Sequence, residues 1–220
     1  MRRFLRNNGL SIVCVLLFLA FLLGQAITGQ LQHNENEQEH GQPAVGFIEY
    51  LGTSHFLEVT MENWESEFLQ MFAFVVLTTF LYQKGSAESK DPDKEEEVDR
   101  DPSKSRKKNA PWPVTKGGFT LRLYCYSLSL AFLLLFLGSF MLHAVGGAGE
   151  YNQEQREHGQ AAQLTTLEYM GTSRFWFESM QNWQSEFLSV GSMVVFTIFL
   201  RQRGSAESKP VDAPHSHTGE

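Results

Sequence analysis

Residues 10–27, LSIVCVLLFLAFLLGQAI, and residues 123–145, LYCYSLSLAFLLLFLGSFMLHAV, decide the class of this protein. The first run is uncharged, and the second carries only His143, near its end, as a group that gains charge near neutral pH. Each approaches the roughly 20 apolar residues that cross a hydrocarbon core of about 30 Å. Two shorter runs follow, residues 68–82 (FLQMFAFVVLTTFLY) and residues 187–200 (FLSVGSMVVFTIFL). At about 1.5 Å per residue these cover only about 22 Å. The segments before them, MENWESEFLQ and MQNWQSEFLS, extend each helix outward and place Trp64 and Trp183 at the interface, where aromatic rings are enriched. Glu67 and Glu186 then enter the membrane by about one turn. The expected fold is an all-α membrane protein with four transmembrane helices.

The basic residues set the orientation. Arg2, Arg3 and Arg6 precede the first run, and no Lys or Arg occurs between Thr28 and Gln83. The stretch from Lys84 to Lys116 then holds nine. The second loop has only Arg156 and Arg174, and Arg201, Arg203 and Lys209 follow the last run. This alternation fits four crossings of a membrane, with both termini and the central linker cytoplasmic. A cleaved signal peptide is the rival reading of the first run, since MRRFLR makes a basic leader and Gly24-Gln25-Ala26 a small-residue cleavage site. The run at 123–145 holds the same place in the second half and cannot be a signal, so an uncleaved first span is expected.

Self-similarity is the second strong signal. EYLGTS at 49–54 recurs as EYMGTS at 168–173, NWESEFL at 63–69 as NWQSEFL at 182–188, and GSAESK at 85–90 again at 204–209, all offset by 119 positions. EHGQ at 39–42 recurs at 157–160 with an offset of 118, so one residue is inserted between. The expected organisation is two tandem helix–loop–helix repeats, residues 1–90 and 119–209, related by a pseudo-two-fold axis along the membrane normal. Residues 91–118 form a linker of mixed charge with four prolines and too few apolar residues to bury a core, and 210–220 a short tail. Both are expected to be disordered.

RNNGLS near the start, EHGQP in the loop, ENWESEFLQM into the second helix and KGSAESKDPD after it resemble a family of small bacterial membrane proteins known only as a domain of unknown function. The resemblance covers nearly the whole chain apart from the linker and tail. It implies a bacterial inner-membrane location and assigns no activity.

A net charge of −7 gives no basic face for nucleic acid, so no nucleic-acid partner is expected. Cys14 and Cys125 both lie inside the apolar runs, where a small buried hydrophobe is the expectation and no disulfide framework is implied. The motifs G-x-S-x-G, phosphate loop and H-E-x-x-H do not occur, so no enzyme and no cofactor are expected.

Ser54 and Ser173 read as N-caps of the helices entering the shorter runs, and Gly85 and Gly204 as their C-caps. Glu58, Glu62 and Glu65 read as a surface face, and Glu37 as part of a solvated acidic loop. Thr60, Asn63 and Glu67 fall at i, i+3 and i+7, and Ser179, Asn182 and Glu186 repeat the spacing. Acids at membrane depth are costly and normally face the bundle interior or water, so this stripe is the candidate cation or proton site. Glu39, His40, Glu157 and His158 form a second pairing that the pseudo-two-fold would bring together, a weaker metal candidate because E-H-G-Q is not a recognised ligand spacing. The expected role is a non-enzymatic membrane scaffold or accessory protein, whose partners are the lipid bilayer and another membrane protein or a second copy. A small channel or transporter using Glu67 and Glu186 is the alternative.

Overall fold

The computed structural model describes residues 2–105, 107–160 and 163–219. Among these the chain forms eight α-helices and no strand. They are α1 (Arg2–Glu39), α2 (Phe47–Tyr50), α3 (Ser54–Leu77), α4 (Trp112–Lys116), α5 (Gly118–Cys125), α6 (Ser127–Glu157), α7 (Thr166–Met170) and α8 (Ser173–Phe199). The 91–118 stretch also carries two short 3-10 turns, Glu97–Asp99 and Pro102–Lys104.

Two of the four expected spans, α1 and α6, are long and apolar enough to cross a membrane. Only 6% of the most apolar window of α1 and 17% of that of α6 is buried. A core helix of a water-soluble domain covers its apolar face, and these helices do not. Cys14 and Cys125 are free and exposed, not buried as expected. In α3 and α8 the acids lie inside the helix. The uncharged part of α3 runs from Phe68 only to Leu77, about 15 Å of helix, and that of α8 from Phe187 to Phe199.

α3 ends in a tightened turn, where Thr79 N donates to the Val76 carbonyl (3.1 Å) and Phe80 N to that of Leu77 (3.2 Å). Thr78 Oγ1 donates to the Phe74 carbonyl (2.8 Å), Thr79 Oγ1 donates to that of Val76 (2.7 Å), and Lys90 Nζ takes the Thr79 carbonyl (3.0 Å). After α8, Arg201 Nη1 donates to the carbonyls of Thr197 (3.1 Å) and Ile198 (3.2 Å), placing a cation on the negative helix end. Gly85 and Gly204 have the positive φ expected of C-caps, 90° and 83°, but sit in turns beyond the helix ends. At the other end the N-caps shift by one residue. Thr53 Oγ1 accepts from Phe56 N (3.2 Å) and Thr172 Oγ1 from Phe175 N (3.3 Å), so the threonines before Ser54 and Ser173 do the capping.

The chain divides into two compact units, Met1–Met61 with Met141–Phe175, and Glu62–Phe140 with Trp176–Glu220. In the first, Tyr50 and Tyr169 are completely buried. Each ring lies against a glycine of a long helix: a Cβ on Gly29 would collide with the Tyr50 hydroxyl, and one on Gly147 with the Tyr169 ring. Gly146 comes equally close to α3, where a Cβ would lie 2.8 Å from Glu58 Cα. Small residues are what allow helix backbones to approach this closely. An asparagine then pins each returning loop. Asn34 Nδ2 donates to the Val45 carbonyl (3.0 Å) while its Oδ1 accepts from Val45 N (2.8 Å). Asn152 makes the same pair with Leu164, at 2.8 and 2.7 Å.

In the second unit, α3 and α8 are joined by side-chain hydrogen bonds, and Phe136, Phe140, Trp176 and Trp183 form a cluster with ring centres 6.1–6.3 Å apart. Tail residues contribute here as well. Thr218 Oγ1 accepts from Gly85 N (2.9 Å), and Gly219 N donates to the Ser86 carbonyl (3.0 Å). Lys209, 1% exposed, donates from Nζ to the carbonyls of Gly85, His215 (3.2 Å) and His217 (2.8 Å).

The glycine–tyrosine contact is directly testable. Gly147→Ala should destabilise the detergent-solubilised protein by about 1–3 kcal/mol, the usual cost of overpacking. Gly138→Ala, with nothing within 4 Å of the added methyl, should be neutral or gain up to about 1 kcal/mol from helix propensity. Equal effects in thermal unfolding would remove the contact from the account.

Candidate functional site

The stripe residues separate. Thr60 belongs to the first unit, is buried, and its hydroxyl accepts from Gln25 Nε2 (3.2 Å). Asn63 and Glu67 belong to the second unit and are exposed. On α8, Ser179 is fully buried and donates to Glu65 Oε1 (2.7 Å), and Asn182 Nδ2 donates to Glu62 Oε1 (2.6 Å). Trp183 Nε1 also donates to Glu65 Oε1 (3.2 Å), and Gln70 Nε2 donates to Ser189 Oγ (3.1 Å) and the Glu186 carbonyl (3.2 Å). Glu186, half-buried, lies within electrostatic reach of Glu67.

The face read as a surface is therefore a packed one. Glu58 is 4% exposed and Glu65 is completely buried. The physical reason is that the opposing helix supplies donors: Ser179, Asn182 and Trp183 in the second unit, and in the first Tyr169, whose hydroxyl donates to Glu58 Oε1 (3.2 Å). A carboxylate can be buried once its oxygens are taken up.

A denser titratable cluster, missed in the sequence, lies in the first unit beyond the apolar run that ends at Val145. Its members come from α1 (His33, Glu37), α2 (Tyr50), α3 (His55), α6 (Glu150, Glu154) and the start of α8 (Arg174). Glu37 is buried, contrary to the solvated-loop expectation, because α1 continues to Glu39 and turns this residue onto the packed side. Its Oε1 accepts from Gln153 Nε2 (2.9 Å) and lies 3.9 Å from His33 Nε2. His33 and His55 stand with ring centres 5.2 Å apart, and the Tyr50 hydroxyl is 3.0 Å from His55 Nδ1. Arg174 grips Glu154 through both terminal nitrogens, one at 3.2 Å from Oε1.

Glu150 is the exception in this network. It is 7% exposed, and its Oε2 is buried without a hydrogen-bond partner among the described residues. Burial above all, then the charges of Glu154, Glu37 and Glu157, push its carboxyl up to about 7 against the opposing pull of Arg174. Burial and neighbouring His33 lower His55, partly offset by Glu154. Burial, then Glu150, raise Tyr50. A carboxyl held this way binds and releases a proton near neutrality. The sequence signal was available: no proline interrupts 28–40 or 146–158, so both helices run past their apolar parts and carry these acids with them.

Of the weaker metal candidates, His40 and His158 come together, with ring centres 5.6 Å apart. Glu39 is exposed and Glu157 half-buried beside them.

Titration of Glu150 gives a signed pH dependence. Its folded value, about 7, lies above the ordinary value of 4.5, so between these the folded chain keeps a proton that the unfolded chain has released. This contribution is complete below about 4.5 and is lost as pH rises to about 7, up to about 3 kcal/mol in all. Glu150→Gln should flatten the fall in unfolding midpoint between pH 5 and 8. An unchanged slope in the variant would assign the dependence to other groups.

No curated protein and no solved structure matches the chain. One family model does, and it aligns to residues 1–220. The chain therefore belongs, over its whole length, to the family described as Domain of unknown function (DUF6766).

Proposed function

We propose that this protein is a non-enzymatic scaffold or accessory protein of the bacterial inner membrane, built from two repeats that cross four times, with both termini and the linker cytoplasmic. One observation carries the reading. Three polar side chains of α8, one to two turns before its apolar half, are spent on α3: Ser179 and Trp183 on Glu65, Asn182 on Glu62. Groups that line a path for ions stay open to water or to the ion, whereas polar groups that join helices are consumed by one another. The arrangement of Lys and Arg supports the orientation. Recurrence of the asparagine pin and the threonine cap at equivalent positions of the two halves supports the repeat. In this reading α3 and α8 cross as short spans, lengthened outward by their polar first turns.

A small channel or transporter is the second reading, favoured by the electrostatic pairing of Glu67 with Glu186. Two measurements separate the alternatives. Fusion of a reporter active only in the cytoplasm should give signal after Lys94 or at the C-terminus and none near His40 or His158. Signal at His40 would end the four-crossing arrangement. Proteoliposomes holding the pure protein should show no proton or cation flux above empty vesicles. Flux that disappears in Glu67→Gln and in Glu186→Gln would establish the channel instead.

A further inference from the structure

The two E-H-G-Q turns contain more than a turn requires. Each closes a long helix with the same hydrogen bonds. Gln42 N donates to the Glu37 carbonyl (2.8 Å) and Gly41 N to that of Gln38 (3.0 Å). Gln160 N and Gly159 N repeat this with Gln155 (2.9 Å) and Arg156 (3.0 Å). Gly41 and Gly159 take φ of 76° and 72°, the left-handed conformation that ends a helix in this way. The backbone thus accounts for the glycines. Each histidine ring also takes a carbonyl of the last turn, Asn36 and Glu154, which leaves only its outer Nε2 edge uncommitted to the helix end.

The histidines are held in one specific state. His40 Nδ1 is 2.9 Å from the Asn36 carbonyl, and His158 Nδ1 is 2.7 Å from the Glu154 carbonyl. A carbonyl only accepts, so Nδ1 is the donor in each ring, and in the neutral imidazole this leaves the lone pair on Nε2. Imidazoles bound to metals are oriented in this way, with the far nitrogen donating to a carbonyl or carboxylate. The rings are exposed, tilted by 58°, and 5.6 Å apart between centres. With metal–nitrogen bonds of about 2.0–2.1 Å, two imidazoles on one ion hold their centres about 5–6 Å apart.

We propose that His40 and His158 form a binding site for a divalent transition-metal ion of the zinc class, through their two Nε2 atoms. Among the described residues no carboxylate joins these two nitrogens in a ligand-sized group, so water completes the coordination. Bound metal ties the end of α1 to the end of α6 within the first unit. The site is independent of the accessory role proposed above and of the number of membrane crossings.

The test is titration of the full-length, EDTA-treated, detergent-solubilised protein with zinc chloride by calorimetry. One zinc ion per chain is expected, and His40→Gln and His158→Gln should each weaken binding at least about tenfold. Both substitutions lie on exposed rings, so unfolding midpoints measured without zinc should match the parent. Copper(II) added instead should give an electron paramagnetic resonance spectrum with imidazole nitrogen coupling, reduced in either variant. Absence of zinc binding in the parent, or binding unaltered in both variants as expected of a site at His215 and His217, would overturn the proposal.

Discussion

Close approach of a tyrosine ring to a glycine on a long helix is the contact on which the first unit depends. It occurs twice, Tyr50 on Gly29 and Tyr169 on Gly147. A buried tyrosine contributes a large apolar area but must also find a partner for its hydroxyl. Tyr50 meets this through His55, and Tyr169 through Glu58. These two bonds bring the titratable groups inside. Placing the rings against glycine seats the short helices α2 and α7, those helices set the turns at Thr53 and Thr172, and these turns start α3 and α8. The acid cluster is assembled around what the tyrosines fix.

The two helices long and apolar enough to cross a membrane are the features most legible in the sequence. Hydrocarbon thickness demands a minimum apolar length, and the runs at 10–27 and 123–145 meet it without help from packing. The shorter runs were less legible because a helix end is a local contest. Nothing in the hydropathy of FLQMFAFVVLTTFLY shows that two threonine hydroxyls will turn back on carbonyls at Phe74 and Val76. Cap positions slipped for a similar reason, since Thr and Ser are both good N-cap residues and stand side by side here. The polar faces were read least well. Glu58 and Glu65 look like a wet surface until the donors on another segment, more than a hundred residues away, are known.

The two halves keep the same backbone devices and have parted in chemistry. Asn34 and Asn152 pin their loops alike, although the second loop between them and the following helix is one residue longer. Around these shared pins, Gln32 corresponds to Glu150, His33 to Tyr151, Glu37 to Gln155, and Glu58 to Phe177. Acid and imidazole stand at non-equivalent positions of the two stretches, so the cluster is lopsided where the asparagine pins and threonine caps recur. Glu39-His40 and Glu157-His158 are the titratable pairs at the helix ends that stay matched.

Lys209 has a consequence of its own. Its ammonium sits among carbonyl oxygens of Gly85, Pro214, His215 and His217, with almost no surface exposed. Carbonyl dipoles gathered around a positive charge solvate it as they would a free alkali ion, so this side chain serves as a tethered cation for the end of the chain. An amine in such a cage is sheltered from electrophiles. Lysine-acylating reagents will label Lys84, Lys94 and Lys104 first, all carried on exposed stems, and reach Lys209 only when the tail lets go. Its rate of modification is therefore a clock for how often the stretch from Pro214 to His217 detaches.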